Sequence, residues 1–187
     1  MLRNAIVLAN SPQNRKPTLV VGPNEPVLRQ WFETLVKAGV PVGDIDLFRS
    51  RSTFQVLDGP KFFLLTRYQL QTEMKHMITA VKDRNSVPVP QSRLFPGADR
   101  ECLFQMRSLY RIATGKAKEQ EKWKILCGRS PASRMRICLQ GAALRIKRAF
   151  CTVVIDEAHF LKNLFSYWGL GAGLLGLLSD RVVPMVR

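Results

Sequence analysis

The sequence predicts an α/β domain built on a largely parallel sheet. Short β-branched runs alternate with stretches of helical periodicity, and the runs close in Gly, Pro or acidic residues. The strongest run is apolar throughout, as a strand covered on both faces must be. The 187 residues suffice for one domain with a real core, and 46% hydrophobic against 23% charged residues exclude wholesale disorder.

Taken in order, Pro17-Thr18-Leu19-Val20-Val21-Gly22-Pro23 reads as a buried strand closed by a breaker. Val27, Leu28, Trp31, Phe32, Leu35 and Val36 then recur at helical spacing until Gly39 supplies a stop. Ile45 to Phe48 and Lys61 to Thr66 read as further strands, and Tyr68 to Val81 as the helix that follows. Cys151 to Ile155 has the pattern of a central parallel strand, and Asp180 to Met185 that of another strand. Trp31 and Trp168 are expected in the core. The run from Leu164 to Leu178 carries no charge, but it is shorter than the ~18 apolar residues of a membrane span and rich in glycine, so it reads as a buried helix or a packed loop.

Residues 73–150 have a different character. They include Pro88, Pro90, Pro96 and Pro131 and carry 17 Lys/Arg against 6 Asp/Glu, an excess of 11 within the chain's net charge of +15. Met106 to Ile112 and Ala142 to Phe150 read as short helices, and no clean strand is visible. Two readings stand for this stretch, a basic insertion within the domain or a solvated loop. The overall charge points to a polyanionic partner such as nucleic acid, or less often an acidic membrane surface, against the bland reading of a generally basic protein. Cys102, Cys127, Cys138 and Cys151 form no CxxC pair and the chain has only two histidines, which argues against structural zinc. Scattered thiols and no secretory pattern in Met1 to Ala9 read as reduced, intracellular cysteines.

The chemistry is concentrated where the strand Cys151 to Ile155 ends in Asp156-Glu157-Ala158-His159. A hydrophobic strand delivering two adjacent acids to its carboxyl end is the Walker B arrangement of P-loop ATPases. Ligands of open α/β sheets bind outside those ends. The first acid can hold Mg²⁺, usually through water, and the second can orient and deprotonate an attacking water. Neighbouring carboxylates repel each other unless a cation sits nearby.

The longer string VVIDEAHFLKN, Val153 to Asn163, resembles motif II of the Swi/Snf family within helicase superfamily two. The Phe160-Leu161-Lys162-Asn163 tail is of that type, whereas the DEAH-box RNA helicases usually continue with Glu-Arg. KPTLVVGP, Lys16 to Pro23, followed by Gln30-Trp31, resembles motif Ia, and FFLLTRYQL, Phe62 to Leu70, resembles the later strand-and-threonine motif. The resemblance spans roughly Ile6 to Asn163, with residues 73–150 atypical. It implies an α/β fold of RecA-like, P-loop NTPase type, the first lobe of a DNA-dependent ATPase that translocates on duplex DNA. It further implies Mg²⁺ and ATP as cofactors, DNA and chromatin proteins as partners, and a nuclear location in a eukaryote or an intracellular one otherwise; with the short Leu164 to Leu178 run, no membrane is expected. By the same resemblance Glu157 is catalytic, Asp156 serves the metal, and His159 couples the nucleotide site to the next motif. Pro23, Thr66, Arg67 and Lys162 would follow the nucleic-acid backbone, where hydroxyl and amide donors and positive charge suit phosphate.

The sequence departs from the family in one important respect: no GxxxxGK[ST] loop occurs in it. Gly115-Lys116 resembles the end of one, but Tyr110 stands at the first glycine and Ala117 at the Ser/Thr. Met1 to Asn10 resembles the end of the helix that follows the loop, and Asp180 to Met185 the strand before a TGTP-type motif. The expectation is therefore a partial ATP-binding lobe, an ATP hydrolase by class that is inactive alone. Beside it stand a non-catalytic basic nucleic-acid-binding lobe and the nonfunctional product of a degenerate gene. ATPase turnover separates the first from the others, and salt-sensitive DNA affinity separates the last two.

Overall fold

Five strands pair in parallel into a single sheet in the computed structural model, which describes residues 16–47, 62–81, 92, 94–118, 126, 128–146, 149–159, 163 and 165–185. β1 (Thr18–Gly22) is central, β2 (Ile45–Leu47) and β3 (Phe62–Thr66) lie to one side, and β4 (Thr152–Ile155) and β5 (Arg181–Pro184) to the other, in the order β2-β3-β1-β4-β5. The α/β expectation holds at this level. Five α-helices are formed by the described residues: α1 (Glu25–Lys37), α2 (Arg67–Ala80), α3 (Arg100–Ala113), α4 (Pro131–Ala143) and α5 (Tyr167–Leu178). None is long and apolar enough to cross a membrane.

The strand sequences are apolar without alternation because both faces of the sheet are covered. Val20, Phe62, Leu64 and Val154 project to one side, where α1 packs Leu28, Trp31 and Leu35 against them. Leu19, Val21, Phe63, Leu65, Val153 and Ile155 project to the other, into a larger core shared by α2, α3, α4 and α5. β5 is the exception. Its residues are mostly exposed, and Val182 retains 41% of its surface.

Helix ends follow local chemistry. Asn24 Oδ1 accepts from Val27 N at 3.1 Å to start α1. The helix stops in a Schellman motif, with Gly39 at φ 88°, its N–H on Val36 O (2.9 Å) and Val40 N–H on Leu35 O (3.0 Å). α2 begins with a capping box between Thr66 and Gln69.

The basic stretch includes two packed helices among its described residues. Its expected start at Glu73 falls inside α2, where that residue is buried. No strand is present among its described residues, as expected, but Leu103, Met106, Leu109, Met135 and Leu139 belong to the main core. The expected helix over Met106 to Ile112 is the second half of α3, which starts six residues earlier under an Asp99 cap (Oδ1 to Cys102 N, 2.7 Å). The expected helix over Ala142 to Phe150 is corrected: α4 ends at Ala143, and Ala149 and Phe150 lead without helix into β4. Packing drew the line here, because Ile146, Ala149 and Phe150 bury in the core with a chain direction that feeds the sheet. Cys102 on α3 and Cys138 on α4 are both buried. Burial, reinforced by the neighbouring Cys138, pushes the Cys102 thiol up to about 12, and burial pushes that of Cys138 up to about 11, so both stay protonated at neutral pH.

The glycine-rich run is a buried helix, and its glycines are used for proximity. A Cβ on Gly171 would stand 2.8 Å from Met74 Cγ and 3.0 Å from Leu70 Cδ1, so α5 touches α2 too closely for any side chain there. Gly176 is different, since its Cβ would meet only Val182 Cγ2 at 3.6 Å, an ordinary contact. Gly171→Ala is therefore expected to lower stability by about 1–3 kcal/mol through overpacking. Gly176→Ala is expected to be neutral or stabilising by up to about 1 kcal/mol through helix propensity. Urea melts of the two variants side by side check the contrast.

Candidate functional site

Parallel pairing sends the carboxyl ends of all five strands to one edge, and the register fixes which residues meet there. Gly22 of β1 is level with Thr66 of β3, and Val21 is level with Ile155 of β4. Pro23, Thr66 with Arg67, and Asp156 with Glu157 therefore emerge at the same edge from three adjacent strands. Asp156 continues the pairing by one residue, its N–H donating to Val21 O at 2.9 Å. Five of the seven residues singled out from the sequence are thus brought to one rim, and His159 joins them through Glu157. Lys162 lies outside the described residues.

Asp156 is 3% exposed, yet it is well partnered. Trp31 Nε1–H donates to Oδ2 at 3.0 Å, and the Glu157 backbone N–H donates to Oδ1 at 3.0 Å. Hydrogen bonds to a charged group are worth about 1.5–3 kcal/mol each, which offsets part of the desolvation of this carboxylate. Glu157 has φ 57°, the single positive φ among the described non-glycine residues. Such backbone costs on the order of 1–3 kcal/mol and persists only where the surroundings impose it. Here the bond to Oδ1 and a second clasp impose it: Ala158 N–H donates to Met185 O (2.9 Å) and Met185 N–H to Ile155 O (2.8 Å), which binds the turn to the end of β5. The Glu157 side chain is 21% exposed, and its Oε2 lies 3.0 Å from His159 Nδ1.

The described residues expected along a nucleic-acid backbone lie at the starts of two helices. Thr66 Oγ1 accepts from Gln69 N at 3.1 Å and donates to Gln69 Oε1 at 2.9 Å, so its hydroxyl serves the cap of α2. Arg67 opens that helix and Pro23 precedes the Asn24 cap of α1, both partly buried at the rim.

The donor set decides what kind of ion could be held. Among the described residues no group of three or more His, Cys, Asp and Glu side chains is placed to hold a metal. Mg²⁺ is commonly bound by one or two carboxylates together with waters and substrate phosphates. Carboxylate oxygens accept more than one partner, so a bond from Trp31 or from Glu157 does not by itself exhaust either oxygen of Asp156. Trp31 is the residue that the sequence reading missed. Its place in the core and in the segment that resembles motif Ia is expected, but its bond to Asp156 is not, although a buried indole N–H requires an acceptor.

No family model matches the chain, and neither the curated proteins nor the solved structures contain a match to it.

Asp156→Ala would strand two donors in a buried place and is expected to lower stability by on the order of 3 kcal/mol. Glu157→Asn, which tolerates the left-handed backbone better, is expected to leave stability unchanged or raise it. Thermal melts of the two variants would reveal whether the second acid is kept at a structural cost.

Proposed function

We propose that this chain is part of a RecA-like ATP-binding lobe of the Swi/Snf type, which binds Mg²⁺-ATP and duplex DNA at the carboxyl edge of its sheet. The observation that supports it most is the delivery of Asp156 and Glu157 by a buried parallel strand to the same rim as Pro23, Thr66 and Arg67. The class activity is hydrolysis of ATP coupled to movement on DNA, with chromatin proteins as partners and the nucleus as its place of action. In this reading Asp156 holds Mg²⁺ through water, and the ion, when bound, neutralises phosphate charge. Glu157 orients the attacking water and takes its proton. His159, within hydrogen-bonding reach of Glu157, holds that carboxylate in place and relays its position toward the segment after the turn.

The 187 residues contain no GxxxxGK[ST] loop, and phosphoryl transfer depends almost wholly on positioning and electrostatics. The purified chain is therefore expected to show no ATP turnover, with or without DNA. In a protein that joins these residues to a phosphate-binding loop and a second lobe, Glu157→Gln is expected to stop turnover while ATP binding remains. Steady hydrolysis by the chain itself that survives Glu157→Gln would count against the assignment of the acid pair.

A second reading, a non-catalytic nucleic-acid-binding lobe, is favoured by one feature of the surface. Lys116 and Lys118 beyond α3 and Arg129 and Arg136 at α4 are exposed, within the stretch that carries most of the excess charge. Both readings share an expectation of sequence-indifferent DNA binding through phosphates. Affinity should fall by ~10³ or more between 50 and 200 mM salt if about six phosphates are neutralised. Changing Lys116, Lys118, Arg129 and Arg136 to Glu should weaken binding and flatten that slope, as fluorescence anisotropy with a labelled duplex would record. A salt-independent affinity would remove DNA from both readings.

A further inference from the structure

We infer that Trp31 is a positioning residue for the acid turn, holding the Asp156 carboxylate in one orientation and tying helix α1 to the site. The inference rests on the reading of Asp156 as a Mg²⁺ residue and adds to it the part that keeps the carboxylate aimed. The contact spans 125 residues of sequence, with donor and acceptor 3.0 Å apart and both residues buried.

A carboxylate rotates readily about its last torsion, whose energy wells are broad, so its aim has to come from partners. Asp156 accepts a hydrogen bond on each oxygen. The indole of Trp31 takes Oδ2, which leaves Oδ1 turned toward the N–H of Glu157. That second bond is the one that supports Glu157 in its left-handed backbone, and Glu157 in turn meets His159. One indole donor therefore stands at the head of a chain of contacts that ends at the proposed general base. Helix α1 is in no position to drift away, because Leu28 and Leu35 are packed with Val20 and Leu64 on the same face of the sheet. It also begins at the Asn24 cap immediately after Pro23, so a ligand that shifts this rim loop acts on the same rigid rod that carries Trp31. A buried indole would be satisfied more cheaply by a backbone carbonyl. Its use of a buried carboxylate, one residue before a strained acid, is what separates positioning from ordinary packing.

The test uses the intact chain and divalent metal alone. Mn²⁺ affinity, read by electron paramagnetic resonance, is compared in the parent protein, Trp31→Phe and Asp156→Ala. Removing the partner of a metal-holding carboxylate commonly weakens affinity by ~10-fold or more, and Trp31→Phe is expected to do so while keeping the ring that packs. Asp156→Ala should abolish the site. Unchanged Mn²⁺ affinity in a folded Trp31→Phe protein, with loss in Asp156→Ala, overturns the positioning role and leaves the metal reading standing. No Mn²⁺ affinity in the parent overturns both. Should Trp31→Phe fail to fold, the unmutated protein decides by nuclear magnetic resonance. The ¹H–¹⁵N signal of the Trp31 indole should move on addition of Mg²⁺ while that of Trp168 stays fixed. A Trp31 signal indifferent to Mg²⁺ overturns the inference.

Discussion

The parallel pairing of β1 with β3 on one side and β4 on the other is the constraint from which the remaining architecture follows. It sets three chain exits side by side at one rim, so residues far apart in sequence share an edge through the register of their strands. It also obliges each strand to be followed by a crossover that returns the chain to the opposite end, and those crossovers become the helical layers. The layers are unequal. Among the described residues one helix covers the face of Val20 and Val154, while four cover the face of Val21 and Ile155. The thinner side is the one on which a single side chain of α1 can reach past the sheet to the end of β4.

That reach places a charge in the interior. A carboxylate at the end of a buried strand is stable only when its surroundings answer it, and the Trp31 indole and the Glu157 backbone, which both donate to Asp156, come from different parts of the chain. The turn that follows is then held from three directions, by α1, by its own backbone and by the end of β5. A left-handed Glu157 is a costly choice for a bland surface turn. Strain of this kind concentrates where a side chain must be displayed in one direction, which is what the proposed role of the second acid demands.

Much of this fold was legible in the sequence because strands buried on both faces leave continuous apolar runs. Thr18–Gly22, Phe62–Thr66 and Thr152–Ile155 were recognisable within a residue or two. Helices α3 and α4 were harder. Their buried positions, such as Met135, Cys138, Leu139 and Ala142, form a narrow stripe at spacings of three and four, and the arginines between them dominate any reading by charge. The acid pair was visible because its two carboxylates are adjacent in sequence. Its link to Trp31 was not, because periodicity reports which face a residue occupies and says nothing of what waits opposite it 125 residues later. Thr66 shows the reverse case. Its Thr-x-x-Gln spacing is a local capping signature, and attention to that signal would have assigned its hydroxyl to the helix before any ligand was considered.

The last strand has a consequence for the behaviour of the protein in solution. Among the described residues β5 has a neighbour on one side only, and Val182 and Leu177, each 41% exposed, extend its apolar character to the surface. A strand with one open flank is a template for pairing with another molecule, and parallel sheets expose such flanks for longer while they form. Two residues of β5 work against this. Arg181 brings charge to the strand's first position, and Pro184 withholds an N–H at its last, so the ladder available to a second chain is short and interrupted. What the charge and the proline leave exposed is the apolar middle of the strand, and a lysine at Val182 is the conservative means of blunting it.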